Sequence, residues 1–379
     1  MNSYGRCSIS YKDEINIFLY IIRLGIGRSN VTLLEPKVSE NQAEVWNSLK
    51  RMSDKQQLLG VFIDGINRIP ESQRPHKEQL LQWISETLIG YEYRYNLYRR
   101  AVAELSGFYR EHGIKMMVLK GYACSLNWPK PEHRPFGDID IWLFGKQKES
   151  DDLIRKEKNI KVDTSHHHHT VFYWRDFMVE NHFDFVNVYA RKSSAELEKI
   201  FKELGQDDTH WVEVSGTSTG SVTKVYIPSP NLHALFLIRH MVSHFAAAEI
   251  TLRQVLDWAF FVEKHTKEVN WDWLISLLDQ FHMKEFFNCI NAICVEDLGF
   301  NATIFPYVQY LPDLKHKVLA DILEPEFTLE EPKGLVRRLV YKYRRWQGNA
   351  WKQRLCYNES RWSMFWTGIW AKLIKPASI

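Results

Sequence analysis

The chain has 379 residues, 45% apolar and 25% charged, which allows two or three domains around a substantial core and matches an ordinary globular composition. Its net charge of +3 is unevenly spread: from Lys333 onward 11 basic residues face one acid, Glu359, while the rest of the chain is slightly acidic. Five scattered cysteines without a CxxC exclude a disulfide framework and a thiolate zinc site, and no apolar run reaches the roughly 18–20 residues of a spanning helix.

Reduced thiols and an N-terminus without a signal-peptide pattern predict a cytoplasmic protein, peripheral to a membrane at most. Residues 10 to about 113 read as helices. Apolar residues recur at three and four in EINIFLYIIRLG and again from KEQLLQWISETLIG to FYREHGI, with Pro70 and Pro75 between them. From Ile114 the period shortens. MMVLKG is an apolar strand ending in Gly121, YACSLNW starts a helix, and DIDIWL alternates. NIKVD, TVFYW and FMVENHFDFVNV are further strands, the last two joined through Arg175-Asp176 as a tight hairpin. A helix, SSAELEKIFKEL, and a second hairpin from WVEVSG to VTKVYIP complete this block near Pro230. A second helical region runs from there to about residue 325, and the basic, Trp-rich tail closes the chain. The fold class expected is α+β, a small mixed sheet flanked by helical regions. The segments are 1–113 helical, 114–230 α+β core, 231–330 helical and 331–379 tail.

Two acids sit inside the DIDIWL strand. Alternation puts Asp138 and Asp140 on one face, with Ile139, Ile141 and Leu143 on the other. Their backbones lie about 6.5–7 Å apart, so their oxygens can converge on a hard divalent cation such as Mg²⁺. Without one, mutual repulsion raises one pKa. The spacing suits paired metals bridging a phosphate. In FMVENHFDF, Glu180, His182 and Asp184 share a face. If that strand lies beside DIDIWL, Glu180 adds a third carboxylate, as metal ligand or proton acceptor, with Asp184 as its rival and Asp176 further off. Upstream, Gly121 before a helix start lets backbone N–H groups approach an anion. Lys120, Ser125, Arg134 and the Gly137 junction are further candidates for nucleotide contact.

These residues resemble the polymerase-β-type nucleotidyltransferase superfamily: strand-Gly, helix, Gly-Asp-hydrophobic-Asp and a later strand acid. LKGYA…RPFGDIDIWL, HTVF…VENH and LRQVLDWA are similar to its branch of poorly characterised bacterial members, several of them from surface-polysaccharide gene neighbourhoods, over about residues 80–310. The resemblance implies nucleotidyl transfer from a nucleoside triphosphate such as ATP with Mg²⁺ or Mn²⁺. It maps Asp138 and Asp140 onto the metal-binding pair, Glu180 onto the third acid and Gly121 onto the phosphate-loop glycine. Tyr122 departs from the small hydroxyl residue usual after that glycine, and WPKPEHRP lengthens the gap to Asp138. The acceptor stays open, with a sugar or sugar phosphate among the options, and the acidic body gives no strong nucleic-acid signal.

The His166-His167-His168-His169 run has no HExxH and no cysteine partner, so bordering a nucleotide pocket, with His169 and His182 as candidates, outranks a zinc hydrolase. His233, His240 and His244 fall within roughly 20° of one line on a helix, as interfacial or substrate-site residues. Arg253 and Asp257 form an i,i+4 pair that becomes an interhelix clamp if buried. Trp362, Trp366 and Trp370 make an amphipathic tail helix that docks on the helical body or on a membrane surface. An alternative function follows: a non-catalytic scaffold of the same shape, docked on a membrane or partner complex through that tail.

Overall fold

The change of hydrophobic period near Ile114 is where helices give way to a sheet. The computed structural model describes residues 10–29, 42–189, 191–215, 222–306, 310–328, 330 and 332–360. The N-terminal helices are α1 (Tyr11–Gly25), α2 (Gln42–Lys55), α3 (Leu59–Ile66), α4 (Lys77–Thr87) and α5 (Arg94–Glu111), with a π-helical stretch joining the last two. The Ser10 side chain caps α1 by accepting from the Asp13 N–H. The strands are β1 (Met117–Val118), β2 (Ile139–Trp142), β3 (His169–Trp174), β4 (Phe177–His182), β5 (Trp211–Ser215) and β6 (Val222–Tyr226). Among them lie α6 (Tyr122–Ser125), α7 (Gln147–Lys158) and α8 (Lys192–Leu204). Seven helices follow: α9 (Pro230–Ala247), α10 (Leu252–His265), α11 (Trp271–Gln280), α12 (Lys284–Ala292), α13 (Pro312–Leu323), α14 (Leu335–Gly348) and α15 (Ala350–Cys356). Thr251 and Gln254 open α10 with a capping box. The Trp-rich segment from Arg361 onward lies outside the described residues.

The six strands form one mixed sheet in the order β3-β4-β2-β1-β6-β5. β2 runs parallel to β4 and antiparallel to β1, while β3–β4 and β5–β6 are antiparallel hairpins. Trp174 pairs with Phe177, so the first hairpin turns on Arg175-Asp176 alone, with Arg175 at φ 56°. Two expected strands fall short. NIKVD supplies only an isolated bridge from Asp163 to Val171. β4 stops at His182 because the N–H groups of Phe183 and Asp184 both donate to the His168 carbonyl, which turns the chain off the sheet.

Both faces of the sheet are covered, so all four residues of β2 are buried. Ile139, Ile141, Val118, Phe172 and Val179 pack with Tyr98, Val102 and Leu105 of α5. The opposite face joins a larger core in which Trp142 meets Phe185, and Phe185 meets Phe236 of α9. The same core contains Phe18, Phe62, Trp258 and Phe286, so the described N-terminal and C-terminal helices share one interior. No helix among the described residues is long and apolar enough to cross a membrane.

The segment between α6 and β2 is bolted to the helices by buried charge. Arg134 donates from Nε and an Nη atom to both oxygens of Asp257, at 2.7 and 2.9 Å. The Asp257 carboxylate also accepts from Trp128 Nε1 at 2.8 Å and from Arg253 at 3.0 Å. Asp257 thus clamps α10 to the α6–β2 connection, not to a neighbouring helix, besides being an i,i+4 partner of Arg253. Asp257→Ala leaves two guanidinium groups facing a buried void and should destabilise the protein by about 3–5 kcal/mol, read as a lowered denaturant midpoint at unchanged m-value. A loss under about 1 kcal/mol would show that the clamp carries little.

Candidate active site

Strand register builds the acid cluster. Asp140 is the direct neighbour of Glu180 across β2 and β4, and His182 pairs with Trp142 on one side and His169 on the other. Because β-residues two apart share a face, Asp140, Glu180, His182 and His169 all project to the side covered by α9. One oxygen of Asp140, Glu180 and the His182 ring lie with their ligand atoms within 4.8 Å of one another. Asp138 precedes β2 and is half-buried, with its own carbonyl accepting from the Tyr98 hydroxyl at 2.9 Å.

Asp140 is 1% exposed, yet stays charged. Burial works against its ionisation, but the Lys120 ammonium at 2.7 Å and the His182 Nε2 at 3.1 Å hold its carboxyl well below the usual range. Their partner groups respond in kind. Lys120 sits above its ordinary value despite desolvation. His182 is penalised by burial and still pushed up to about 9 by its bonds to Asp140 and Glu180. Asp138 goes the other way, up to about 6, first through the charge of Asp140 and then through burial and Glu180. Repulsion between the two aspartates is therefore concentrated on Asp138.

The remaining candidates divide into those brought together and those placed elsewhere. His240 and His244 on α9 have ring centroids 4.3 Å apart in a tilted arrangement, and both feel the charges of Lys120 and Asp140. Burial keeps both neutral, His244 down to about 4. His233, on the same helix, is buried beside the Cys124 thiol and Phe261, away from the acids. Ser125 is a correction: it is buried, donates to the Tyr122 carbonyl and meets the Tyr95 hydroxyl, so it is an interior hydroxyl. Arg134 is a second, since Nε and Nη2 donate to Asp257 and Nη1 donates to the Pro135 carbonyl. Asp184 lies past the end of β4 and pairs with Lys202, so Glu180 is the acid that register places beside Asp140. Gly137 is exposed, with open space where a Cβ would stand.

Gly121 has φ +50°, and a Cβ there would stand 2.1 Å from the Tyr98 hydroxyl. The glycine is needed for close packing of α5 as well as for its backbone conformation. The helix it opens, α6, is a single turn. No local sequence pattern marks Tyr98, because its place depends on how α5 docks. His168 lies within the His166-His167-His168-His169 run. It joins His169 and His182 only because β3 and β4 fold back on each other. A cavity of about 310 Å³ lined by Asp64, Arg68, Trp128 and Lys130 includes none of these groups.

A group raised in the folded state favours folding fully below its unfolded pKa, near 3.9, and loses that contribution as pH rises through its folded pKa. For Asp138 this window runs from about 4 to about 6. Asp138→Asn should therefore raise the stability of metal-free protein at pH 7.5 by about 1–3 kcal/mol, with little gain at pH 4.5. Equal or lower thermal stability of the variant at pH 7.5 would contradict this electrostatic account.

Comparison with known proteins adds a family to this geometry. No curated protein and no solved structure matches the chain. The model of a family described as uncharacterised nucleotidyltransferase matches residues 42–299, which spans α2 to α12 and includes every acid and histidine of the cluster. A match over more than half of the chain, with a mixed α+β core of the expected kind, assigns the protein: it belongs to this nucleotidyltransferase family.

Proposed function

We propose that the protein transfers a nucleoside monophosphate from a nucleoside triphosphate to an acceptor hydroxyl or phosphate, with Asp138, Asp140 and Glu180 as its catalytic, metal-holding acids. The observation that carries this reading is the β2–β4 register, which sets Asp140 beside Glu180 with Asp138 two residues upstream. The donor set fits Mg²⁺ or Mn²⁺. Carboxylate oxygens are hard ligands, and Oδ2 of Asp140 is buried with no hydrogen-bond partner, an acceptor left for a cation. When bound, the divalent ions would stabilise charge on the triphosphate oxygens and make the acceptor hydroxyl more acidic.

The chain's own groups do the rest. Glu180 is more accessible than Asp140, 18% against 1% for the side chains, and takes the acceptor's proton. The new bond joins the acceptor oxygen to the α-phosphorus, and the bond to the pyrophosphate oxygen breaks. Lys120, whose ammonium already rests beside the acids, follows the phosphates on its flexible stem, and the Gly121 turn brings backbone close behind it. His240 and His244, neutral under α9, give an uncharged hydrogen-bonding wall. Such a wall suits the hydroxyl groups of a sugar or sugar phosphate. Asp140→Asn should lower Mg²⁺-dependent pyrophosphate release at least about a hundredfold. Undiminished turnover in that variant would end the assignment.

A second reading is favoured by one surface. On α14, Val336, Leu339, Val340 and Tyr343 form a stripe at i, i+3, i+4 and i+7, exposed by 72, 59, 52 and 61%. The helix carries Arg337, Arg338, Lys342, Arg344 and Arg345 and no acid. An apolar stripe set among guanidinium and ammonium groups matches an anionic membrane surface, whether the docked body is catalytic or a scaffold. The protein should co-sediment with phosphatidylserine-containing vesicles, far less with phosphatidylcholine alone, and Leu339→Glu should weaken the association at least about tenfold. Equal partition to both vesicle types would discount this surface.

A further inference from the structure

Imidazoles gather at the pole of the acid cluster nearest the β3–β4 hairpin. His169 and His182 are direct cross-strand partners, and His168 sits immediately before β3, its carbonyl tied to the N–H groups of Phe183 and Asp184. The three rings lie close, with centroids 4.5 Å apart for His168–His169, 5.3 Å for His169–His182 and 5.6 Å for His168–His182. One nitrogen from each falls within 4.8 Å of the others. His166 stacks on His169 at 4.6 Å and backs the group.

Stacking accounts for rings in contact but not for their nitrogens. His169 is 7% exposed, and its Nδ1 is buried with no hydrogen-bond partner; Nδ1 of His168 is equally bare. An unpaired buried ring nitrogen is costly, and two of them in a cluster of three close imidazoles are donors available to a cation that accepts nitrogen. His182 has the support that metal-bound imidazoles use. Its Nδ1 lies 3.3 Å from the Asp184 carbonyl, which orients the ring with Nε2 toward the cluster.

We propose that His168, His169 and His182 bind a borderline transition-metal ion, of the Zn²⁺ or Co²⁺ class, at the edge of the carboxylate site. Imidazole nitrogens suit such ions and not Mg²⁺, which prefers oxygen. Asp140 and Glu180, 3.1 and 3.5 Å from Nε2 of His182, stand ready as an oxygen ligand to complete the shell. Binding there replaces the Nε2 proton that now bridges His182 to Asp140. The inference rests on the nucleotidyl-transfer reading only in setting this ion beside a triphosphate; the binding itself needs no nucleotide.

The test titrates chelator-stripped full-length protein with Co²⁺ in a large excess of Mg²⁺, followed by visible ligand-field absorption and by calorimetry. One equivalent should bind with an imidazole-type spectrum. His169→Gln should weaken binding at least about a hundredfold, and His168→Gln, at a less buried ring, at least about tenfold in a variant that folds. No ligand-field bands in wild-type protein, displacement of Co²⁺ by equimolar Mg²⁺, or wild-type affinity in both folded variants would overturn the proposal. Cobalt binding without NTP-dependent pyrophosphate release upholds the imidazole site and sinks the transferase. Mg²⁺-driven release with no cobalt bands does the reverse.

Discussion

The structure is organised around one expensive placement, a carboxylate at 1% exposure in the middle strand of a covered sheet. An isolated ion there is untenable, so the fold must supply compensation from several directions at once. Lys120 supplies it from the end of β1, and His182 from β4. Each of these requires its own strand in the right register. A one-residue slip of β4 against β2 would turn Glu180 and His182 toward the apolar α5 face. The order of the central strands and the charge balance of the site are therefore a single constraint.

The countercharges come from the protein's own side chains. Lys120 and His182 together neutralise much of the negative charge, which lets the acids stay gathered. The compensation is incomplete: Asp138 keeps the residual repulsion, and one oxygen of Asp140 has no partner. A flexible lysine and a protonated imidazole are also replaceable countercharges, one able to swing away and the other able to lose a proton. A rigid bidentate arginine would be far harder to displace. The chain uses that stronger pairing elsewhere, at Arg134 and Asp257, where nothing needs to move.

Much of this was legible in the sequence because it depended on local periodicity. The alternation in DIDIWL predicts which side chains share a face, and the Arg175-Asp176 turn joins strands whose pairing then follows. The helical regions on either side were readable from spacing at three and four. What was not readable depended on distant contacts. The WPKPEHRP insert reads as a loop whose Arg134 is a candidate nucleotide contact, yet it folds against α10 because Asp257 lies there. Ser125 reads as a phosphate ligand, yet a one-turn helix points its hydroxyl inward. Asp184 shares the parity of Glu180 but lies beyond the point where His168 pulls the chain from the sheet. The histidine run reads as a border of the nucleotide pocket, but which of its rings meet one another is set only when the hairpin closes.

The position of α9 gives the site its asymmetry. His233, His240 and His244 lie on one line of that helix, but only the last two lie near the acids, while His233 faces Cys124 and Phe261. Apart from these histidines and a buried Arg239 that donates to the Tyr357 hydroxyl, helix α9 is apolar on the buried side, with Leu235, Phe236, Ile238 and Val242 in the shared core. A helix so committed to the core is a poor hinge, since moving it would expose that surface, at about 25 cal/mol per Å². Ligands must then enter around the rigid roof. If phosphates enter over Gly121 and Lys120, the acceptor is confined between the acids and the His240–His244 wall. Selectivity for it would then reside in side chains fixed by the core, and changes at those two histidines would alter acceptor use before they altered nucleotide binding.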